Sequence, residues 1–259
     1  MRRRTIDTRL DVIRPGLDGR TAFLARSETG LGKALLPKLL DAGCKQVFAG
    51  VGEAGISLSH LNDYPRTHPL LCPLHDEKML GILGFMYGGK SDVLINNLGT
   101  EQSGSLFGQD GLALAQELME EHFFRLLRIT RAFAPIFKMR GEGGVIVNVL
   151  SIYAQVSRPA QGAYSASMAA GLSLTQNLRA ELALHGVRVV NVFHGPLESP
   201  EQAHVRPPKV AVARVADAVI GAIGGGLEDV YVGDVAEDLH ERLLEQPKVA
   251  EREVGAGQG

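Results

Sequence analysis

Hydrophobic positions along this chain follow two alternating rhythms. Short, continuous apolar runs fall at 20–25, 46–49, 70–74, 91–95, 144–149, 187–193 and 230–232, the length and composition of strands buried on both faces. Between them lie longer stretches at 30–42, 76–87, 109–139, 162–185, 211–223 and 236–245 that read as helices. In the first of these Leu35, Leu36, Leu39 and Leu40 share one helix face. Strands alternating with helices are the sign of βαβ units, so the pattern predicts one α/β domain: a doubly wound parallel sheet of about seven strands with helices on both faces. Two places resist it. Residues 51–69 hold two prolines and two glycines and admit only a short helix near 57–62, and Pro135 should kink or end the long helix at 109–139.

Composition narrows the picture without adding chemistry. A chain of 259 residues, 45% hydrophobic, can bury one large core. The reading places an N-terminal arm at 1–18, the α/β domain at 19–247 and a flexible C-terminal tail at 248–259. Arg2, Arg3 and Arg4 make the arm basic, but residues 5–14 carry four charges where a signal sequence would be apolar. No apolar run approaches the ~20 residues of a membrane span. Lys and Arg total 27 against 29 Asp and Glu, so no global field favours nucleic acid or a membrane surface. Cys44 and Cys72, far apart and beside apolar runs, read as reduced thiols of a cytoplasmic protein. The eight histidines are scattered without ligand spacing, and no metal is expected.

Candidate chemistry lies at the ends of the strand runs. Ala25-Arg26-Ser27-Glu28-Thr29-Gly30-Leu31-Gly32 follows the first, and Asn96-Asn97-Leu98-Gly99 ends the fourth. Ser151 follows the fifth and precedes Tyr164 by thirteen residues; Asn191-Val192-Phe193-His194-Gly195-Pro196 ends the sixth, with Ser199 just beyond. In order and spacing these motifs resemble the short-chain dehydrogenase/reductases, over roughly residues 19–234. The resemblance implies a Rossmann-like domain, an NAD or NADP cofactor held by the loop after the first strand, and hydride exchange with an alcohol or ketone. It also implies dimers or tetramers built through the helices at 109–139 and 162–185. Arg26, Gly30, Gly32, Asn97, Gly99 and Ser199 fall on its cofactor-binding positions. Ser151 and Tyr164 fall on its catalytic pair, the serine holding a substrate oxygen and the tyrosine exchanging its proton.

Four residues depart from that pattern. Met168 stands where the family has a lysine, and a phenol that titrates near ~10 needs a nearby cation to act at neutral pH. His122 falls at the asparagine of the proton relay. Arg26 replaces the first glycine of the loop, where a side chain either crowds the nucleotide, with added strain if φ is positive, or binds an anion. Pro73 aligns with an aspartate that contacts adenine, yet it has neither an N–H nor a side-chain acceptor. The acid or base after the second strand that selects NAD or NADP has no counterpart nearer than Glu53. The connection at 196–211 is short and carries four prolines where many relatives have a helical lid. These changes fall on one site while the fold signals survive. The expectation is a protein without a bound cofactor, a non-catalytic subunit completing an intact relative, by analogy with assemblies that act on acyl-carrier or coenzyme A esters. Two alternatives stay open: an NAD(P)-dependent alcohol dehydrogenase or ketone reductase with an atypical site, and non-redox lyase-type chemistry in the emptied cofactor pocket.

Overall fold

The computed structural model describes residues 16–257 apart from 53–54, 57–58, 100–103, 105, 142 and 204. Glu53 and most of the N-terminal arm therefore lie outside the described residues. The chain runs β1 (Thr21–Ala25), α1 (Gly30–Asp41), β2 (Gln46–Val51), β3 (Thr67–Leu71), α2 (Glu77–Tyr87), β4 (Val93–Asn96), α3 (Gly111–Met119), α4 (Arg125–Arg140) and β5 (Val145–Ser151). It continues through α5 (Gly162–Ala183), β6 (Arg188–His194), β7 (Leu197–Glu198), β8 (Val210–Ala211), α6 (Val212–Gly225), β9 (Asp229–Val232), α7 (Asp234–Glu245) and α8 (Pro247–Gly255). Seven strands form one parallel sheet in the order β3-β2-β1-β4-β5-β6-β9, as the pattern predicted, and β7 pairs separately with β8. The order reverses between β1 and β4, so the crevice outside their carboxyl ends is the switch point where such sheets bind ligands.

Helices cover both faces, which is why the strands read as unbroken apolar runs. Leu35, Leu36 and Leu39 of α1 and Val215 and Val219 of α6 bury against Leu24, Ala49, Ile95 and Val147 on one face. Leu80, Phe133, Phe137 and Leu182 pack on Phe23, Leu94 and Ile146 on the other. Helix starts follow local capping: Thr29 Oγ1 accepts from Gly32 N at 3.0 Å, and Asp76 Oδ1 from the N–H groups of Lys78 and Met79. Glycine is required at position 32, where a Cβ would lie 2.3 Å from Arg26 O.

Three expectations give way. The third strand lies at Thr67–Leu71 and not at 70–74, because Pro73 cannot donate to the ladder and starts the turn that caps α2. Pro135 sits inside α4, which runs on to Arg140; the interruption comes earlier, in a π turn at Glu120–Phe124 joining α3 to α4. The flexible tail expected at 248–259 is largely helix α8, opened by Pro247 and anchored by buried Ala250 and Val254. Among the described residues no helix is long and apolar enough to cross a membrane.

Candidate active site

Ser151 ends β5, and the first two turns of α5 carry Tyr164, Ser167 and Met168. Ser151 Oγ accepts from Tyr153 N at 3.2 Å, and Ser151 and Tyr164 are each only 2% exposed. Met168 joins Tyr164, Leu118, Leu150 and Ala163 in one apolar cluster. Its Cε presses on the turn after β4, where a Cβ on Gly99 would stand 3.1 Å away. His122, in the π turn, sets its ring edge-on to Tyr164 with centroids 5.2 Å apart. Its Nδ1 lies 2.8 Å from Ser167 Oγ, whose own proton goes to Tyr164 O at 2.8 Å, so His122 Nδ1 is the donor of the pair. Asn96, Gly99, His122, Asn148 and Met168 line a cavity of about 10 Å³, room for one water at most. The residue one turn past Tyr164 thus offers a thioether and not a charge.

His194 ends β6 in register with Ser151. Its Nδ1 lies 2.5 Å from Gly195 O, and burial holds its pKa below the usual 6.5, favouring a neutral ring beside Ser151. Ser199 sits beyond β7, half-buried, its carbonyl accepting from Gln202 N at 3.1 Å.

At the other end of the crevice Arg26 follows β1 with φ 55°, a left-handed backbone that favours glycine. Its guanidinium reaches across the strand ends: Nη1 is 3.4 Å from Leu98 O and 3.5 Å from Glu121 Oε2, and Nε is 3.5 Å from Glu28 Oε1. Glu121 also pairs with Arg125 at 2.5 Å; burial pushes its carboxyl pKa up, against the pull of Arg125 and Arg26. Glu28 Oε1 accepts from Gly52 N at 3.4 Å, past the end of β2, while its Oε2 is buried without a hydrogen bond. Asn97 Nδ2 donates to Thr29 Oγ1 at 2.7 Å and Arg26 O at 3.3 Å, tying the turn after β4 to the loop that holds Gly30.

A dinucleotide in this fold would lay its pyrophosphate over the N-terminus of α1, against backbone N–H groups. The residues present do not fit one well. Arg26 stands in the loop that would approach it, its guanidinium paired with Glu28 and Glu121, and Met168 supplies no cation at the far end.

One feature of the crevice floor escaped the sequence reading. Asn96, Asn148, Asn191 and Asp229 occupy matching registers of β4, β5, β6 and β9. Their side chains form a row: Asn96 Nδ2 to Asn148 Oδ1 at 2.8 Å, Asn148 Nδ2 to Asn191 Oδ1 at 3.5 Å, and Asn191 Nδ2 to Asp229 Oδ1 at 3.0 Å, closed by Arg179 of α5 at 2.7 Å. The signal was an asparagine inside or at the end of three apolar strand runs, Asn148, Asn191 and Asn96. The row crosses the strands that deliver Asn97, Ser151 and His194.

The sequence profile of the short chain dehydrogenase family matches residues 20–209. The chain is 29% identical over 194 residues to a dehydrogenase/reductase SDR family protein 7-like of Anopheles gambiae, a match covering 69% of this chain and 59% of that one. To the 3-oxoacyl-[acyl-carrier-protein] reductase FabG of Vibrio cholerae it is 26% identical over 187 residues, 71% of this chain and 75% of that one. Among solved structures, a short chain dehydrogenase from Burkholderia cenocepacia, in complex with NADP, superposes with a TM-score of 0.86 at 34% identity, over 93% of this chain and 99% of that one.

Proposed function

The chain belongs to the short chain dehydrogenase family, and we propose that within this family of oxidoreductases it serves as a non-catalytic subunit of a dehydrogenase or reductase assembly. One observation carries the reading: the side chain a turn past Tyr164 is Met168, packed against Gly99 in an apolar cluster. A phenol there has no ammonium from that position to stabilise its ionised form. The partner is an intact relative, docked on α4 and α5; the latter leaves Ala166 and Ala169 exposed and Ala170 half-buried, small residues that permit close helix approach, while Ala163 and Gly171 face inward. Calorimetric titration with NAD+, NADH, NADP+ and NADPH tests the loss of cofactor use, and low-micromolar saturable binding would overturn it. Co-purification from the native cell followed by native mass spectrometry tests the partner. Recovery of this chain only with itself removes the subunit role.

A second reading, an NADP-dependent ketone reductase with an atypical site, is supported by the NADP held in the Burkholderia relative and by the retained Ser151 and Tyr164. Steady NADPH turnover on a panel of ketones would establish it in place of the first.

A further inference from the structure

We propose that Arg26 is a built-in plug of the nucleotide groove, its guanidinium fixed between Leu98, Glu28 and Glu121 along the path a dinucleotide would follow, and that Glu28 is the groove's ribose-facing acid. The proposal rests on the reading that this chain does not use a nucleotide, and it names the element responsible.

Arg26 holds a backbone conformation that disfavours a side chain, and from there the side chain turns into the crevice and meets three acceptors on three segments: the loop after β1, the turn after β4 and the π turn. Arg125 anchors the far acceptor, Glu121, from one helical turn away. Asn97 holds the base of the plug through Arg26 O and Thr29 Oγ1. Two arginines face two carboxylates, so the cluster is neutral by itself. An entering phosphate would have to pull the guanidinium from its carboxylates and then lie beside both of them. That argues against Arg26 as a phosphate ligand.

Glu28 completes the picture. Its carboxylate sits against Gly52 N past the end of β2, where an acid accepts from the ribose hydroxyls of NAD and repels the 2′-phosphate of NADP. The sequence hid it, because Glu28 comes from the glycine loop and not from the strand that normally supplies the acid.

The test compares wild type, Arg26→Gly and Glu121→Gln by calorimetric titration with NADH and NADPH, with melting curves as the check of folding. Arg26→Gly should bind NADH at least tenfold more tightly than wild type and prefer it to NADPH; Glu121→Gln, which only loosens the plug, should show a smaller gain of the same kind. A folded Arg26→Gly that binds no more tightly than wild type overturns the plug, while the non-catalytic reading stands if wild type also binds weakly. Tight binding by wild type that Arg26→Gly weakens makes Arg26 a nucleotide ligand and overturns both. Tight binding by wild type that Arg26→Gly strengthens further supports the plug and removes the non-catalytic reading. If Arg26→Gly does not fold, Glu121→Gln decides: a gain in NADH affinity supports the plug and no gain overturns it. A gain selective for NADPH overturns the assignment of Glu28.

Discussion

The two ends of the crevice differ from the family pattern in opposite directions. At the β1 end a charged side chain stands in a glycine position, and at the α5 end an apolar side chain stands in a lysine position. Arg26 keeps 18% of its side chain exposed and shares its charge with Glu28 and Glu121. Met168 is 3% exposed and has drawn Gly99, Leu150 and Tyr164 around it. A charge added near solvent can be neutralised by neighbours and later removed at little cost. A charge removed from a buried position lets the site close, and putting it back means forcing an ammonium into packed apolar surroundings. The two substitutions should therefore respond very differently to reversal.

The largest effect should follow Met168→Lys. Burying the ammonium in this cluster is expected to cost about 3 kcal/mol, roughly 6–12 °C in melting temperature for a chain of this size, without producing NAD(P)H turnover. Met168→Leu, which conserves volume, should stay within about 1.5 kcal/mol of wild type. Calorimetric melting of both variants checks this. A lysine variant as stable as wild type would mean that the pocket is wet and open, and the contrast between the two ends would collapse.

Next in size is the floor that both ends share. Asn148→Val leaves Asn96 Nδ2 and Asn191 Oδ1 without their present partner, at a cost of about 2 kcal/mol. Urea unfolding measures it. A loss below about 0.5 kcal/mol would show that the row contributes little beyond what the strands already provide.

The apolar periodicity carried the fold well, because parallel strands covered on both faces leave little else to choose. Strand three was misplaced since its edge position leaves His68, Pro69 and Leu71 exposed, blurring the run. The last helix was missed because it buries only Ala250 and Val254 in a charged segment. At the site, spacing named candidate positions, but not what their side chains touch. That Arg26 would point at Glu121 depends on a contact across 95 positions of sequence and on a π turn that no local pattern announces. The ion pair of Glu28 with Arg26 is local, yet its approach to Gly52 depends on how the first two strands align.

Arg26→Gly should be close to neutral for stability. Relief of a left-handed backbone is worth about 1–2 kcal/mol; against it stand two partly exposed ion pairs, each worth roughly 0.2–1 kcal/mol. The net change should lie within about 1 kcal/mol. The same unfolding experiment used for Met168→Lys places the two ends on one scale. A loss above about 2 kcal/mol at Arg26 would mean that the charge network is buried in effect, and that both ends behave as closed sites.

The smallest effect concerns Glu121 and pH. Burial raises its carboxyl pKa above the ordinary 4.5, Glu117 and Glu120 push the same way, and Arg125 and Arg26 oppose them. A carboxyl with a raised pKa in the folded state binds its proton more readily there than in the unfolded chain, so ionisation subtracts stability above the raised value. That penalty fades as the pH falls toward 4.5. Glu121→Gln carries no such titration. Wild type should therefore gain on the variant as the pH is lowered from 7 through that window, as read by urea unfolding at each pH. Protonation also weakens the pair with Arg26, so NADH affinity of the wild type should rise over the same interval while that of Glu121→Gln stays flat. The opposite stability trend, wild type losing on the variant as pH falls, would show that the two arginines outweigh burial at Glu121. The ion pairs, and not the strained backbone, would then be what holds the β1 end of the crevice in place.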